Sequence, residues 1–374
     1  MYKEMQAIRC SIVRAGTSKG IFIKKNDLPS DPSERDKTIL KIFGSPDVRQ
    51  IDGLGGADVL TSKLAIIGPS TREDADVDYT FGQVSFVKPF VDYGGNCGNI
   101  SSGVGPYAID EGLVEAVEPF TTVKIHLTNS GRILTATVPV KDGKAMVTGD
   151  CQIDGVPGTG ARIDIDWSDT AGGICGSFLP TGNVRDTISS DGTDYEVSLV
   201  DMGNPLVFIT AEQLGMKGTE SIDEIHSNTE LMERIEKIRS QAAVKFGLVD
   251  DASEATDKSP YNPFFAIVSK PQDYTALNGK SVKAEDVDMV SWLLFMQKMH
   301  KAYPISGTVC TGAAMRTKGT VAWEACGGCE NKTLRIGHPS GVITVDVEAD
   351  DEGVKAVKVF RTSRRIMDGQ VYIR

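Results

Sequence analysis

A cysteine lies in a costly backbone setting. Tyr93-Gly94-Gly95-Asn96-Cys97-Gly98-Asn99 leaves an apolar stretch, Val84–Val91, and opens a predicted helix running towards Glu111. A helix start carries unpaired N–H groups and partial positive charge. Glycines there let a ligand approach the backbone closely, and a carboxylate suits such a place. The same field favours the thiolate of Cys97 over the thiol, whose free pKa is roughly 8.5. A lone cysteine is more often inert and buried, but five flanking Gly and Asn residues point to a special conformation and favour function. The second group is Lys63, between the Gly-rich loop Asp52-Gly53-Leu54-Gly55-Gly56 and the apolar run Leu64–Ile67. A lysine at the mouth of an inward-running strand is partly desolvated, which lowers its pKa and allows proton transfer near neutrality. From composition alone the plainer account is a solvated lysine that begins a strand.

Other patterns carry less chemistry. Gly103-Val104-Gly105-Pro106-Tyr107-Ala108 has dinucleotide spacing, but inside the predicted helix instead of at its entrance. Gly16-Thr17-Ser18-Lys19-Gly20 and Leu60-Thr61-Ser62-Lys63 fall short of a phosphate loop. Cys326-Gly327-Gly328-Cys329 is a single CxxC without a second pair, and His126, His226, His300 and His338 are dispersed, so no metal site is assigned. His300 precedes a second Gly-rich helix start, yet reads best as a structural histidine.

Strands must position these groups. Ile8–Val13 and Gly20–Ile23 read as strands around a polar turn, followed by Val77–Val91, Val123–Leu127, Ile133–Val138 and Ala145–Val147. Helices are expected at Ser33–Phe43, Glu230–Phe246 and Asp286–Lys301, the last on the apolar spacing of Val290, Leu293, Leu294 and Met296. An internal echo organises the whole. Cys97–Gly105 can be laid over Ser306–Ala314, and Val13–Ile23 over Val200–Ile209, in the same order in each half. A duplicated α/β domain is the expectation: residues 1–187, then 188–374, with the seam near Gly182–Asp194 and a strand near 360–374 packing back onto the first domain.

The chain has 374 residues, and its formal charge of −11 argues against nucleic acid as a partner. It leaves room for a locally positive pocket and an anionic substrate. No apolar stretch is long enough to span a bilayer, and the N-terminus lacks a signal core. Seven scattered cysteines do not make a disulfide framework. A cytoplasmic protein is expected.

Taken together, Arg14–Ile23 (RAGTSKGIFI), Asp52–Ile67 (DGLGGADVLTSKLAII), Gly94–Ile109 (GGNCGNISSGVGPYAI), Met202–Ile209, Ile336–Gly341 and Arg361–Ile373 resemble the methylitaconate/methylaconitate isomerase family, in order and over nearly the whole chain. The resemblance implies a diaminopimelate-epimerase-like α/β (α+β) fold. Two similar domains, each with strands wrapped around a central helix, would meet at an active-site cleft. It places the family's catalytic pair on Lys63 and Cys97, overriding the solvated reading of Lys63. It implies a cofactor-independent 1,3-proton shift in a small unsaturated dicarboxylate, 3-methylitaconate to 2,3-dimethylmaleate, with methylaconitate and oxalomesaconate as alternatives. It also makes a homo-oligomer reasonable.

On this reading the substrate carboxylates meet the helix starts at Gly98–Asn99 and Gly307–Thr308, with Thr17, Ser18, Ser62, Asn96 and Ser306 as further donors. Cys97 thiolate as base with Lys63 as acid is the preferred assignment, and the reverse stays open. Epimerases of this fold use two cysteines, whereas the echo of Cys97 here is Ser306, which disfavours two-sided racemisation. An amino- or hydroxy-acid racemase is the nearest rival, and a non-catalytic carboxylate-binding protein is the rival from another class.

Overall fold

The computed structural model describes residues 4–374, and the chain divides into two compact units. One takes the chain up to Ile165 together with Phe360–Arg374, and the other takes Asp166–Val359.

The first unit opens with β1 (Gln6–Ala15) and β2 (Ser18–Lys24), an antiparallel hairpin in which Ala15 faces Ser18. Gly16 and Thr17 form the turn, and Gly16 supplies its positive φ of 53°. Helix α1 (Pro32–Phe43) starts where the Asp31 carboxylate accepts the Glu34 N–H and ends at Gly44 in the left-handed region. Strand β3 (Lys63–Pro69) runs parallel to β2 and antiparallel to β4 (Val77–Val84). Neighbours on both sides explain its nearly continuous apolar run. The single strand expected over 77–91 is broken, because Ser85 Oγ accepts the Val87 and Lys88 N–H groups in a turn before β5 (Val91–Asp92).

Helix α2 (Gly98–Asp110) follows and runs through Pro106 without interruption. Eleven of its residues are buried, the signature of a helix enclosed on all sides. Its small residues permit this. A Cβ on Gly103 would come within 2.9 Å of Phe22 in β2. One on Gly105 would come within 2.8 Å of Val138 in β7 (Arg132–Lys141), which pairs with β6 (Phe120–Leu127). The short β8 (Lys144–Ala145) and β9 (Ile163–Asp166) complete this run.

The second unit repeats the plan. β10 (Asp186–Ser190), β11 (Thr193–Met202) and β12 (Asn204–Thr210) form successive antiparallel pairs. Helices α3 (Ile222–Ser227), α4 (Thr229–Lys245) and α5 (Ala255–Lys258) follow, then β13 (Phe264–Ser269) and the small pair β14 (Tyr274–Thr275) and β15 (Ser281–Val282). After β16 (Met289–Phe295) and β17 (Lys298–Met299), α6 (Ile305–Met315) is buried along its whole length. Helix α7 (Val321–Ala325), β18 (Thr333–His338), β19 (Gly341–Asp350) and β20 (Gly353–Arg361) come next. β21 (Ser363–Ile373) then returns to the first unit, antiparallel to β1.

Two expectations are corrected. Asp286–Lys301 is not a helix but the β16–β17 hairpin, with Met296 and Gln297 at positive φ in its turn. β16 is buried at all seven positions between β13 and β18, so both of its faces are apolar and helical spacing arises by coincidence. The stretch at 182–194 is not a seam. Its Asp191-Gly192 pair, both at positive φ, is the tight turn of the β10–β11 hairpin inside the second unit, and the division falls at 165/166.

Candidate active site

Lys63 is the first residue of β3, facing Gly20 on one side and Gln83 on the other. It is only 3% exposed, and its Nζ donates to Gln83 Oε1 at 2.8 Å and lies 5.4 Å from the centre of the Phe81 ring. Burial lowers the lysine pKa from its ordinary value. The Cys97 side chain, hydrogen-bonded to it and attractive as a thiolate, opposes that shift, with a smaller contribution from Asp58.

Cys97 is 6% exposed and forms the N-cap of α2 in an extended conformation. Its carbonyl accepts the N–H and the hydroxyl of Ser101, each at 2.9 Å. The thiol therefore stands where the first N–H groups of the helix have no partner within the helix. Tyr79 lies close by. Burial and then the charge of Cys97 push its phenol well above the ordinary value, so it stays protonated.

The other expected residues of the first unit have distinct roles. Asn99 Oδ1 accepts the Thr17 N–H at 3.3 Å and its Nδ2 donates to Thr17 Oγ1 at 3.1 Å, which ties the β1–β2 turn to the start of α2. Gly98 and Asn96 are buried beside Cys97. Ser18 is buried on the far side of the turn. Ser62 is a structural bracket: its hydroxyl donates to Val84 O and accepts from Gln50 Nε2, each at 2.8 Å. Gln83 was not foreseen. Nothing in the sequence states the β3–β4 register that puts it opposite Lys63.

Ser306, Gly307 and Thr308 lie in the second unit at the start of α6. Ser306 Oγ accepts from Asn204 Nδ2 at 2.7 Å, and Thr308 donates both its N–H and its hydroxyl to Pro304 O. These bonds revise the internal echo. Asn99 and Ser306 each meet the preceding Gly-containing turn, and Ser101 and Thr308 each close the first helical bond. The two helices therefore correspond as Cys97 to Pro304, two residues away from the match suggested by the glycines. Proline has no ionisable group, so the second unit carries no counterpart of the Cys97 thiol at its helix start.

The sequence matches the PrpF protein family over residues 5–374. The chain belongs to the PrpF family. It is 55% identical to the 3-methylitaconate isomerase of Eubacterium barkeri over 372 residues, 99% of this chain and 98% of that one. A crystal structure of methylitaconate-delta-isomerase, 55% identical, superposes with a TM-score of 0.83, covering 99% of this chain and 96% of the other. A hydroxyproline epimerase from Agrobacterium vitis, 12% identical, shares the fold with a TM-score of 0.57 over 99% of this chain and 93% of its own. The protein is thus an isomerase built on the two-domain epimerase-like fold.

Several other groups of this PrpF chain have structural occupations. Cys310 is fully buried, and its thiol, pushed well above the ordinary value by burial and then the charge of Asp201, donates to Val200 O at 3.4 Å. His300 Nδ1 accepts from Ala302 N and His338 Nδ1 from Ser340 N, so both rings serve turns. Among the described residues no group of three His, Cys, Asp or Glu is placed to hold a metal ion, and no helix is long and apolar enough to cross a membrane.

Proposed function

We propose that this PrpF-family protein moves a proton and a double bond within a small unsaturated dicarboxylate, converting 3-methylitaconate to 2,3-dimethylmaleate, with Lys63 and Cys97 as the proton-transfer pair. The observation that carries the reading is the contact of those two side chains, hydrogen-bonded to each other and shut from water at the N-terminus of α2.

In CH2=C(COO−)–CH(CH3)–COO− the departing proton is both allylic and adjacent to a carboxylate. Its removal leaves a dienolate whose charge lies on carboxylate oxygens, where helix N–H groups stabilise it. Protonation at the methylene carbon completes the shift. No electrons are gained or lost overall, so the reaction requires no redox cofactor. Burial lowers the Lys63 pKa and so favours its free amine. We therefore take the Lys63 amine as base and the Cys97 thiol as the acid that serves the methylene carbon. This reverses the assignment preferred from sequence. The seven free cysteines support a reducing compartment, the cytoplasm.

Against the racemase alternative stands Pro304 at the place equivalent to Cys97, since a two-thiol mechanism needs an ionisable group there. The test is proton NMR of the purified chain with itaconate, 3-methylitaconate, methylaconitate and oxalomesaconate. The expected result is conversion of the two vinyl signals of 3-methylitaconate into a methyl signal, abolished in Cys97→Ala. Turnover that survives Cys97→Ala, or exchange of one α-hydrogen with the double bond unmoved, would overturn it.

A further inference from the structure

Among the described residues, the buried polar groups of the first unit left without a hydrogen-bond partner include Nε of Arg361 and the hydroxyl of Ser18. Both belong to the surroundings of the β1–β2 turn. Ser18 faces Ala15 across that turn. A Cβ placed on Gly16 would lie 3.2 Å from Arg361 Cδ and 2.0 Å from Asn99 Oδ1, so the arginine stem and the Asn99 amide both lie against the turn. Asn99 is the second residue of α2, directly after Cys97 and Gly98.

Arg361 is 4% exposed, and its one side-chain hydrogen bond goes from Nη1 to the adjacent Phe360 carbonyl. Among the described residues no carboxylate pairs with it. Arg239 and Arg365 each have a carboxylate partner. Arg239, equally buried, is held by both oxygens of Glu236 and by two backbone carbonyls. Arg365 meets Glu111, and Arg14 is occupied by the carbonyl and hydroxyl of Thr362. Burial pushes the Arg361 guanidinium down to about 9, with the Cys151 thiol as its one opposing influence. A buried cation without a counter-ion is strongly disfavoured in a finished protein. A ligand carboxylate removes the anomaly, because the guanidinium fork matches its two oxygens.

We infer that Arg361, with the Ser18 hydroxyl, anchors one carboxylate of a dianionic substrate beside the N-terminus of α2. This rests on the dicarboxylate reading above. It adds the group that distinguishes a diacid from a monoacid, leaving the helix N–H groups for the carboxylate that gathers charge during reaction.

The experiment compares the full-length wild type with Arg361→Met and Arg361→Lys. One readout is thermal stabilisation by itaconate against its monomethyl esters, and the other is KM and kcat for 3-methylitaconate. In the wild type itaconate should stabilise clearly more than either ester. Arg361→Met should lose that difference and raise KM roughly ten- to hundredfold, the value of charged hydrogen bonds, with a smaller change in kcat. If Arg361→Met does not fold, Arg361→Lys decides: it keeps the charge but not the fork, and KM should still rise severalfold. A folded variant with unchanged KM and an unchanged itaconate preference overturns the anchor while leaving the isomerase reading intact. Wild type that binds itaconate through Arg361 but turns over none of the acids supports the anchor and overturns the isomerase reading.

Discussion

Gln83 faces Lys63 directly across the β3–β4 pair, and its Oε1 accepts the lysine Nζ hydrogen at 2.8 Å. The amide cannot be turned round, because its Nε2 donates to Ser62 O at 2.9 Å and to Val59 O at 3.3 Å. Gln83 is therefore a positioning residue that aims the amine. Gln83→Leu should lower kcat by at least tenfold, since a lost buried hydrogen bond is worth about 1–3 kcal/mol. Gln83→Glu should retain the fold and move the pH–rate profile upward, because a carboxylate favours the ammonium form. An unmoved profile in Gln83→Glu would show that the contact is structural only.

The pH dependence follows from Lys63. Its pKa is lowered by burial from the ordinary 10.5. With the free amine as base, kcat/KM should rise with pH through an inflection lying below 10.5. The same curve should vanish in Lys63→Arg, which keeps a cation but cannot release its proton near neutrality. An inflection at the ordinary lysine value would contradict a desolvated base.

Gly16 offers a test of the turn. At φ 53°, and with a Cβ placed 2.0 Å from Asn99 Oδ1, Gly16→Ala must displace the Asn99 side chain from Thr17. Gly112 has φ 70° but nothing within 4 Å of its would-be Cβ. Both alanine variants should lose about 1–2 kcal/mol from backbone strain, measurable by urea unfolding. Only Gly16→Ala should also lose most of its turnover.

Acid stability should depend on Glu111, whose side chain is 4% exposed and accepts from Lys24 and Arg365, each at 2.7 Å. Burial acts to raise its pKa, but the hydrogen bonds and charges of Lys24 and Arg365 prevail and the carboxyl titrates below its ordinary value. A carboxylate depressed in the folded state contributes stability above its unfolded pKa of about 4.3. That contribution fades as pH falls through the lower folded value. Glu111→Gln should reduce stability by about 2 kcal/mol at pH 7, and the difference from wild type should shrink below pH 4.

Cysteine reactivity should be selective. Hydrogen bonds from the Cys329 thiol and from the Cys329 and Gly328 backbone outweigh burial and bring Cys326 down to about 7, whereas Cys310 is held protonated. Brief iodoacetamide treatment followed by peptide mass spectrometry should label Cys326 at a pH below that needed for an ordinary thiol and leave Cys310 untouched.

The sequence showed those features that depend on local chemistry. The polar turn between β1 and β2 and the Gly-rich start of α2 each need particular residue types, and each is where those residues indicated. Features set by long-range pairing stayed hidden. The Met289–Phe295 run looks helical until two flanking strands cover both of its faces. Aligning the glycines of the two halves misplaced the second helix by two residues, because the hydrogen bonds to the turns, and not the glycines, set the correspondence. Lys63 shows the same limit. Its desolvation comes from Phe81 and Gln83 on a neighbouring strand, and no local window contains them.

The return of β21 to β1 has a bearing on how the chain is made. During translation the nascent first unit has its hairpin and its helix, but β1 keeps a bare edge while the whole of Asp166–Val359 is synthesised. Such an edge invites pairing with a foreign strand. Completion of the sheet that carries Lys63 thus waits until Asp166–Val359 has been made.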